Sequence, residues 1–173
     1  MQVDDLGSVG AHGRHLEMGR LNEGKLVRVM ASGLNERSRV TSMAAIPPHL
    51  TSSGELEVLL ATNENTVLVL DDSGCVDQLL QERISAPITA MSIAPNGRFM
   101  ACFLANGGLT VMTTNFTKKI LDFDTNSTRK PAQMVWCGED AVLLSWQGFL
   151  LMVGPFGHWL QFPYRCEARR GAV

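Results

Sequence analysis

Charge is scarce in this sequence. Asp, Glu, Lys and Arg make up 18% of its 173 residues, and the formal net charge is −2. Binding to phosphate backbones needs a basic excess on some face, so nucleic acid is not expected as a partner. The basic clusters Lys118-Lys119 and Arg165 with Arg169-Arg170 are short and read as solvated surface. Cysteine patterning is equally sparse. Cys75, Cys102, Cys137 and Cys166 form no C-x-x-C and no pair with zinc-knuckle spacing. Cys102 and Cys137 lie inside apolar runs, where a free thiol behaves as a small hydrophobe, and a reduced, cytosolic setting is expected. The opening MQVDDLGSVGAHGRH has no apolar core of a signal peptide. No run approaches the ~20 apolar residues of a membrane span. The expectation is a soluble protein that meets membranes only through partners.

Hydrophobic residues, by contrast, reach 45%, enough for a packed core. Their distribution divides the chain near Ser38. Residues 1–38 are rich in Gly, Arg, Asn and Glu and lack sustained periodicity. They read as a flexible lead-in in which Lys25–Met30 admits one short strand. From Val40 onward, apolar runs of four to eight residues alternate with turn signals: DDSG (71–74), PNGR (95–98), NGG (106–108) and QG (147–148). Such runs bounded by Asn-Gly and Ser-Gly are strands joined by hairpins. No window carries a helical stripe over three turns, so the fold class is all-β.

The strands repeat. Gly54, Gly97 and Gly138 each precede a strong apolar run, 43 and 41 residues apart, and the spacing aligns Leu59 with Cys102 and Leu143. Thr66, Leu109 and Leu150 open the next run at the same offsets. VTSMAAIP (40–47) and ITAMSIAP (88–95) match in residue type, with AQMVWC (132–137) a shortened version. Final strands are expected at Val76–Leu80, Lys119–Phe123 and Trp159–Phe162. A four-stranded unit of ~40–45 residues has the size of a β-propeller blade. One such sheet has two apolar faces and must stack on neighbours to bury them. The expected architecture is a partial WD-repeat-like β-propeller over 39–162, with about three four-stranded antiparallel blades at 40–80, 88–124 and 132–162. Closed propellers use about four to eight blades, so three blades are either an open arc with two exposed faces or, as expected here, part of a longer protein.

At RKPAQMVWCGEDAVLLSWQGFLLMVGPFGHWLQF (129–162) the sequence resembles the N-terminal region of the vacuolar protein sorting-associated protein 16 family, and its M-V-G-P-F-G (152–157) resembles plant members most. SIAPNGRFMACFLANGGLTVMTTNFTKKILDF (92–123) resembles the preceding blade of that family. The resemblance covers roughly 46–162. It implies a core subunit of the HOPS and CORVET tethering complexes, cytoplasmic and peripheral on late endosome and vacuole or lysosome membranes. It would scaffold SNARE-mediated vacuole fusion in intracellular protein transport. It implies other class C vacuolar sorting subunits as partners. A Sec1/Munc18-like subunit would be engaged only through a following α-solenoid, which these residues do not contain. PYRCEARRGAV (163–173) departs from the family pattern and is expected to be a non-family tail, as in a truncated or alternatively spliced product.

No residue set points to catalysis, a cofactor or a metal, and none is assigned. His12 and His15 form H-x-x-H in a Gly-rich segment without a third ligand nearby. Asp71-Asp72 falls in a turn, where Asp is expected on conformational grounds, and Asp122 with Asp124 is a second acidic pair. Ser145 sits mid-strand rather than on a nucleophile elbow. NGG and GPFG are not followed by the helix that would cradle a phosphate. The positions Thr66, Leu109 and Leu150 are not metal ligands, which disfavours a propeller hydrolase. An unrelated WD-repeat-like adaptor is the alternative, disfavoured by the absence of Gly-His and Trp-Asp dipeptides. Trp136, Trp146 and Trp159 read as core or blade-interface residues. Phe156, His158 and Trp159, at the turn before the last strand, are the candidate interaction surface.

Overall fold

The computed structural model describes residues 37–164 apart from 72, 79 and 81–83, together with the backbone of three earlier strands. Those are β1 (Val9–His12), β2 (His15–Arg20) and β3 (Lys25–Met30), an antiparallel sheet in the order β1-β2-β3. The sequence admitted only β3. Gly10 and Gly19 interrupt the alternation around Leu16 and Met18 that would have marked the other two. His12 pairs with His15 across this sheet; their side chains lie outside the described residues, as do Asp72, Arg165, Cys166 and Arg169-Arg170.

Three four-stranded antiparallel meanders follow. The first holds β4 (Val40–Ile46), β5 (Glu57–Thr62), β6 (Val67–Leu70) and β7 (Cys75–Asp77). The second holds β8 (Ile88–Ile93), β9 (Phe99–Leu104), β10 (Gly108–Thr113) and β11 (Lys119–Asp124). The third holds β12 (Gln133–Cys137), β13 (Ala141–Trp146), β14 (Phe149–Val153) and β15 (Trp159–Pro163). The expected final strands are present, although β7 covers only Cys75–Asp77 where the sequence suggested Val76–Leu80.

The turn glycines share one conformation. Gly54, Gly97 and Gly138 have φ of +73°, +69° and +69°, a left-handed region that a side chain enters at a cost. The repeat itself differs by one residue from the spacing the glycines suggest. Glu57, Phe99 and Ala141 open the second strands at a constant spacing of 42. Leu59 is therefore equivalent to Ala101 and Leu143, not to Cys102. A one-residue slip turns a strand position to the opposite face, and Leu59 and Cys102 belong to the same core cluster, contributed from opposite sides of it.

That cluster is the wall between the first two blades: Leu59, Ala61 and Val67 from one side, Met100, Cys102, Leu104 and Met112 from the other. The second wall brings Ala101, Phe103, Leu109 and Val111 against Val142, Leu144, Trp146, Leu151 and Val153. Both faces of β9 are consumed, which explains its uninterrupted apolar sequence. Burying a side chain such as Phe103 or Leu144, each fully enclosed, contributes about 1.5–3 kcal/mol. Among the described residues hydrogen bonds cross the blade boundaries, including one from Asn96 Nδ2 to Glu139 Oε2 at 3.3 Å. Thr41 Oγ1 donates to the Ile88 carbonyl at 2.6 Å, and Trp136 Nε1 donates to the Ser92 carbonyl at 3.0 Å.

Candidate interaction surface

The turn between β14 and β15 is built by its sequence, GPFGH. The Gly157 N–H donates to the Gly154 carbonyl at 3.2 Å and the Gly154 N–H to the His158 carbonyl at 2.8 Å. Pro155 fixes φ at the first central position, and Gly157 takes the positive φ of +76° that closes the loop. Phe156 is left at the apex with 86% of its surface exposed. An apolar ring so presented has no role in the chain's own core. His158 is also exposed, and Trp159, first residue of β15, is 55% exposed. The three residues named from sequence thus lie together at one rim of the third blade. Beside them an open cleft of about 570 Å³ is lined by Met152, Gly154, His158, Trp159 and Leu160.

The outer face of the third blade is a second exposed surface, and its residues were not singled out in the sequence. Strand register pairs Val135 with Leu143, Leu143 with Met152, and Met152 with Leu160. Leu150 pairs with Phe162. Their alternate neighbours Val142, Leu144, Trp146, Leu151 and Val153 fill the inner wall, so this row points away from it. Val135, Leu160 and Phe162 remain 47%, 54% and 48% exposed. The nearly continuous apolar text of FLLMV and WLQF is that of strands covered on both faces, so it did not mark this face as exposed.

The remaining sequence candidates serve the fold. Trp146 is buried, donates Nε1–H to the Arg129 carbonyl at 2.7 Å, and meets Phe103 edge to face at 5.9 Å. Trp136 bridges two blades as described, whereas Trp159, read from sequence both as a core or blade-interface residue and as a candidate surface residue, is exposed. Asp71 Oδ1 accepts hydrogen bonds from Ser73 Oγ at 2.6 Å and from the Ser73 and Gly74 amides at 2.8 and 2.9 Å. The Ser73 hydroxyl above all, helped by these amides, holds its carboxyl below the usual aspartate range against an opposing desolvation. It is a turn-former. Asp122 accepts from Thr110 Oγ1 at 2.7 Å, a tie between β10 and β11, and pairs with Lys119 of its own strand at 3.0 Å. Ser145 lies within β13. Cys102 is fully buried, and desolvation pushes its thiol up to about 12. Cys137, expected to pack as a hydrophobe, is exposed because its position on β12 falls on the outer face. Among the described residues no group of three His, Cys, Asp or Glu side chains is placed to hold a metal, and no helix is long and apolar enough to cross a membrane.

Comparison with known proteins places this arrangement. Residues 24–169 match the family described as Vps16, N-terminal region. The chain belongs to the Vps16 N-terminal family. The match begins before Val40 and ends beyond Phe162. Protein VACUOLELESS1 of Arabidopsis thaliana is 31% identical over 130 residues, which are 68% of this chain and 15% of that protein. The probable vacuolar protein sorting-associated protein 16 homolog of Schizosaccharomyces pombe is 30% identical over 132 residues, 75% of this chain and 15% of that one. This Vps16-family chain therefore spans about 15% of the length of these relatives. Among solved structures, BBS1N in complex with ARL6DN superposes with a TM-score of 0.69 at 13% identity, over 91% of this chain and 50% of that one. The Cps50 (Swd1) β-propeller domain superposes with a TM-score of 0.58 at 14% identity, over 84% of this chain and 52% of that one. At such identities the likeness is one of fold, and the fold is a partial β-propeller.

Proposed function

We propose that this chain is a propeller segment of a class C vacuolar sorting subunit, acting as a protein-interaction scaffold in the HOPS and CORVET tethering complexes. In this role it has no substrate to turn over. Its stacked sheets present rims and loops to other class C subunits, which gather late endosomal and vacuolar or lysosomal membranes for SNARE-mediated fusion. The protein would be cytoplasmic and peripheral on those membranes, with contact to lipid made through its partners. The single observation that carries this reading is the family match over residues 24–169. Two features support it: an exposed apolar rim at Phe156 and Trp159, and hydrogen-bonding side chains such as Asp71, Thr110 and Asp122 that are already engaged in turns and strand ties.

Affinity purification of the full-length protein that carries this segment tests the proposal. Class C vacuolar sorting subunits should co-purify in near-stoichiometric amounts. Their consistent absence from a preparation of folded protein would overturn it.

A further inference from the structure

The two grooves between blades share one plan and differ in what fills them. Glu57, Val69, Gln78 and Gly97 line the first. Phe99, Val111, Ile120 and Glu139, each 42 residues further on, line the second, so the grooves are the same place in successive repeats. The first is filled by the chain itself. Leu50, from the 3-10 turn Pro48–Leu50, packs on the wall between the blades, and Phe116 is buried in it at 8% exposure. The Phe116 N–H donates to the Thr113 carbonyl at 2.9 Å, and its φ of +59° is strained backbone for a bulky residue. The cleft that remains is edged by Thr51, Ser52, Thr114 and Asn115.

The second groove lacks both fillers. The β8–β9 connection is only 94–98 and has no counterpart of the turn that carries Leu50. Gly157 stands in the place of Phe116: its N–H makes the equivalent bond, to the Gly154 carbonyl at 3.2 Å, with φ of +76°. A Cβ added there would lie 3.9 Å from Cδ1 of Leu121, which lines the groove. Phe99 and Ile120 replace the polar Glu57 and Gln78 of the first groove. The result is an apolar slot of about 80 Å³ between Ile120, Leu121, Trp136 and Pro155, with Val142 and Val153 beneath.

We propose that this slot takes one aliphatic side chain, Leu, Ile or Met, from a peptide segment of a partner protein that carries Lys or Arg beside it. Size and precedent choose the anchor. The slot has about half the volume of the ~150 Å³ cavity that admits benzene, which suits an aliphatic chain better than a ring. In the first groove the chain itself fills the same place from a loop with Leu50. Charge chooses the neighbour. Glu139 and Asp140 stand exposed at the edge of the slot. Glu139 accepts from Asn96, and among the described residues no cation pairs with either carboxylate. Arg98 is held over the Phe99 ring at 5.8 Å, and Lys119 is paired with Asp122. A basic residue next to the anchor would meet this uncompensated acidic edge. Both walls of the slot belong to blades present here, so a further blade stacked on the outer face of the third would leave it open. The inference goes beyond the tethering role and holds whichever complex the chain serves.

Selection of displayed random heptapeptides on the immobilised 173-residue chain, followed by fluorescence polarisation of the labelled selected peptides, is the test. We expect those peptides to share an aliphatic residue next to Lys or Arg. Gly157→Leu, which supplies the slot with a side chain from within, should weaken their binding about tenfold. Ile120→Glu, at a half-exposed position on the edge strand β11, should do the same. Glu139→Gln combined with Asp140→Asn should weaken it about threefold, with a smaller effect at high salt. Circular dichroism should show each variant folded as the parent is. Failure to select any peptide above background would overturn the proposal, and so would a selected set without the aliphatic–basic pairing. Binding that ignores both Gly157→Leu and Ile120→Glu would overturn it too, by placing the contact on the outer face of the third blade.

Discussion

Single side chains do three kinds of work here: they tie blades together, form turns or stand free at the surface. Trp136 ties. Its indole N–H reaches the Ser92 carbonyl in the neighbouring blade, and Trp136→Phe keeps most of the ring while removing the bond. The expected loss is about 1 kcal/mol in urea denaturation, the usual net worth of such a bond. Asp71 forms a turn. A carboxyl held below its ordinary value stabilises the fold above the unfolded-state pKa of about 3.9, and the contribution disappears as pH falls through the lower folded-state value. The advantage of the parent over Asp71→Asn should therefore be flat near neutrality and decline only at acid pH, as followed by melting temperature. The thiols separate by burial: Cys137 should react with a thiol reagent in the native state, and Cys102, enclosed and raised to about 12, only after unfolding. Phe156 and Trp159 stand free. Replacing both with Ala should leave the melting temperature nearly unchanged while reducing recovery of class C subunits with the full-length protein, about tenfold if together they contribute ~1.4 kcal/mol to the contact.

At the level of strands and turns, the repeat is a succession of meanders whose sharp corners are paid in glycine. Gly97→Ala should cost more than Gly138→Ala. Both positions have φ of +69°, but a Cβ at Gly97 would sit 2.7 Å from Leu50 Cβ, while at Gly138 the nearest atom is Asp140 Oδ1 at 3.8 Å. The strain common to both is about 1–2 kcal/mol, and the added clash should make Gly97→Ala the less stable by a further ~1 kcal/mol in the same denaturation assay. Much of this level was legible in the sequence. Asn-Gly turns and apolar runs mark the strands from Val40 on because both express local backbone and burial requirements. The phase of the repeat was not legible. Blades differ in loop length: the first inserts the 3-10 turn Pro48–Leu50 before β5, and the third closes its β13–β14 hairpin between Trp146 and Phe149. Glycine spacing therefore drifts by a residue while the second strands keep a spacing of 42. Of the candidate interaction surface, the turn at Phe156 was legible through Pro and Gly. The open outer face was not, because its text matches that of a strand covered on both sides.

At the scale of the whole molecule, the three blades form one stacked body rather than three independent sheets. Each wall is shared: β9 gives Cys102 to one and Phe103 to the other, so loss of either wall removes support from the second blade. Thermal unfolding of the purified chain, followed by circular dichroism and calorimetry, measures this directly. A β-type spectrum should be lost in one cooperative transition with equal van't Hoff and calorimetric enthalpies. Phe103→Ala, which empties the centre of the second wall at a cost of about 3–5 kcal/mol, should lower that single midpoint by roughly 10 °C or more. A broad, non-cooperative loss of signal, or a Phe103→Ala variant in which one part melts early and the rest keeps the parent midpoint, would contradict the account.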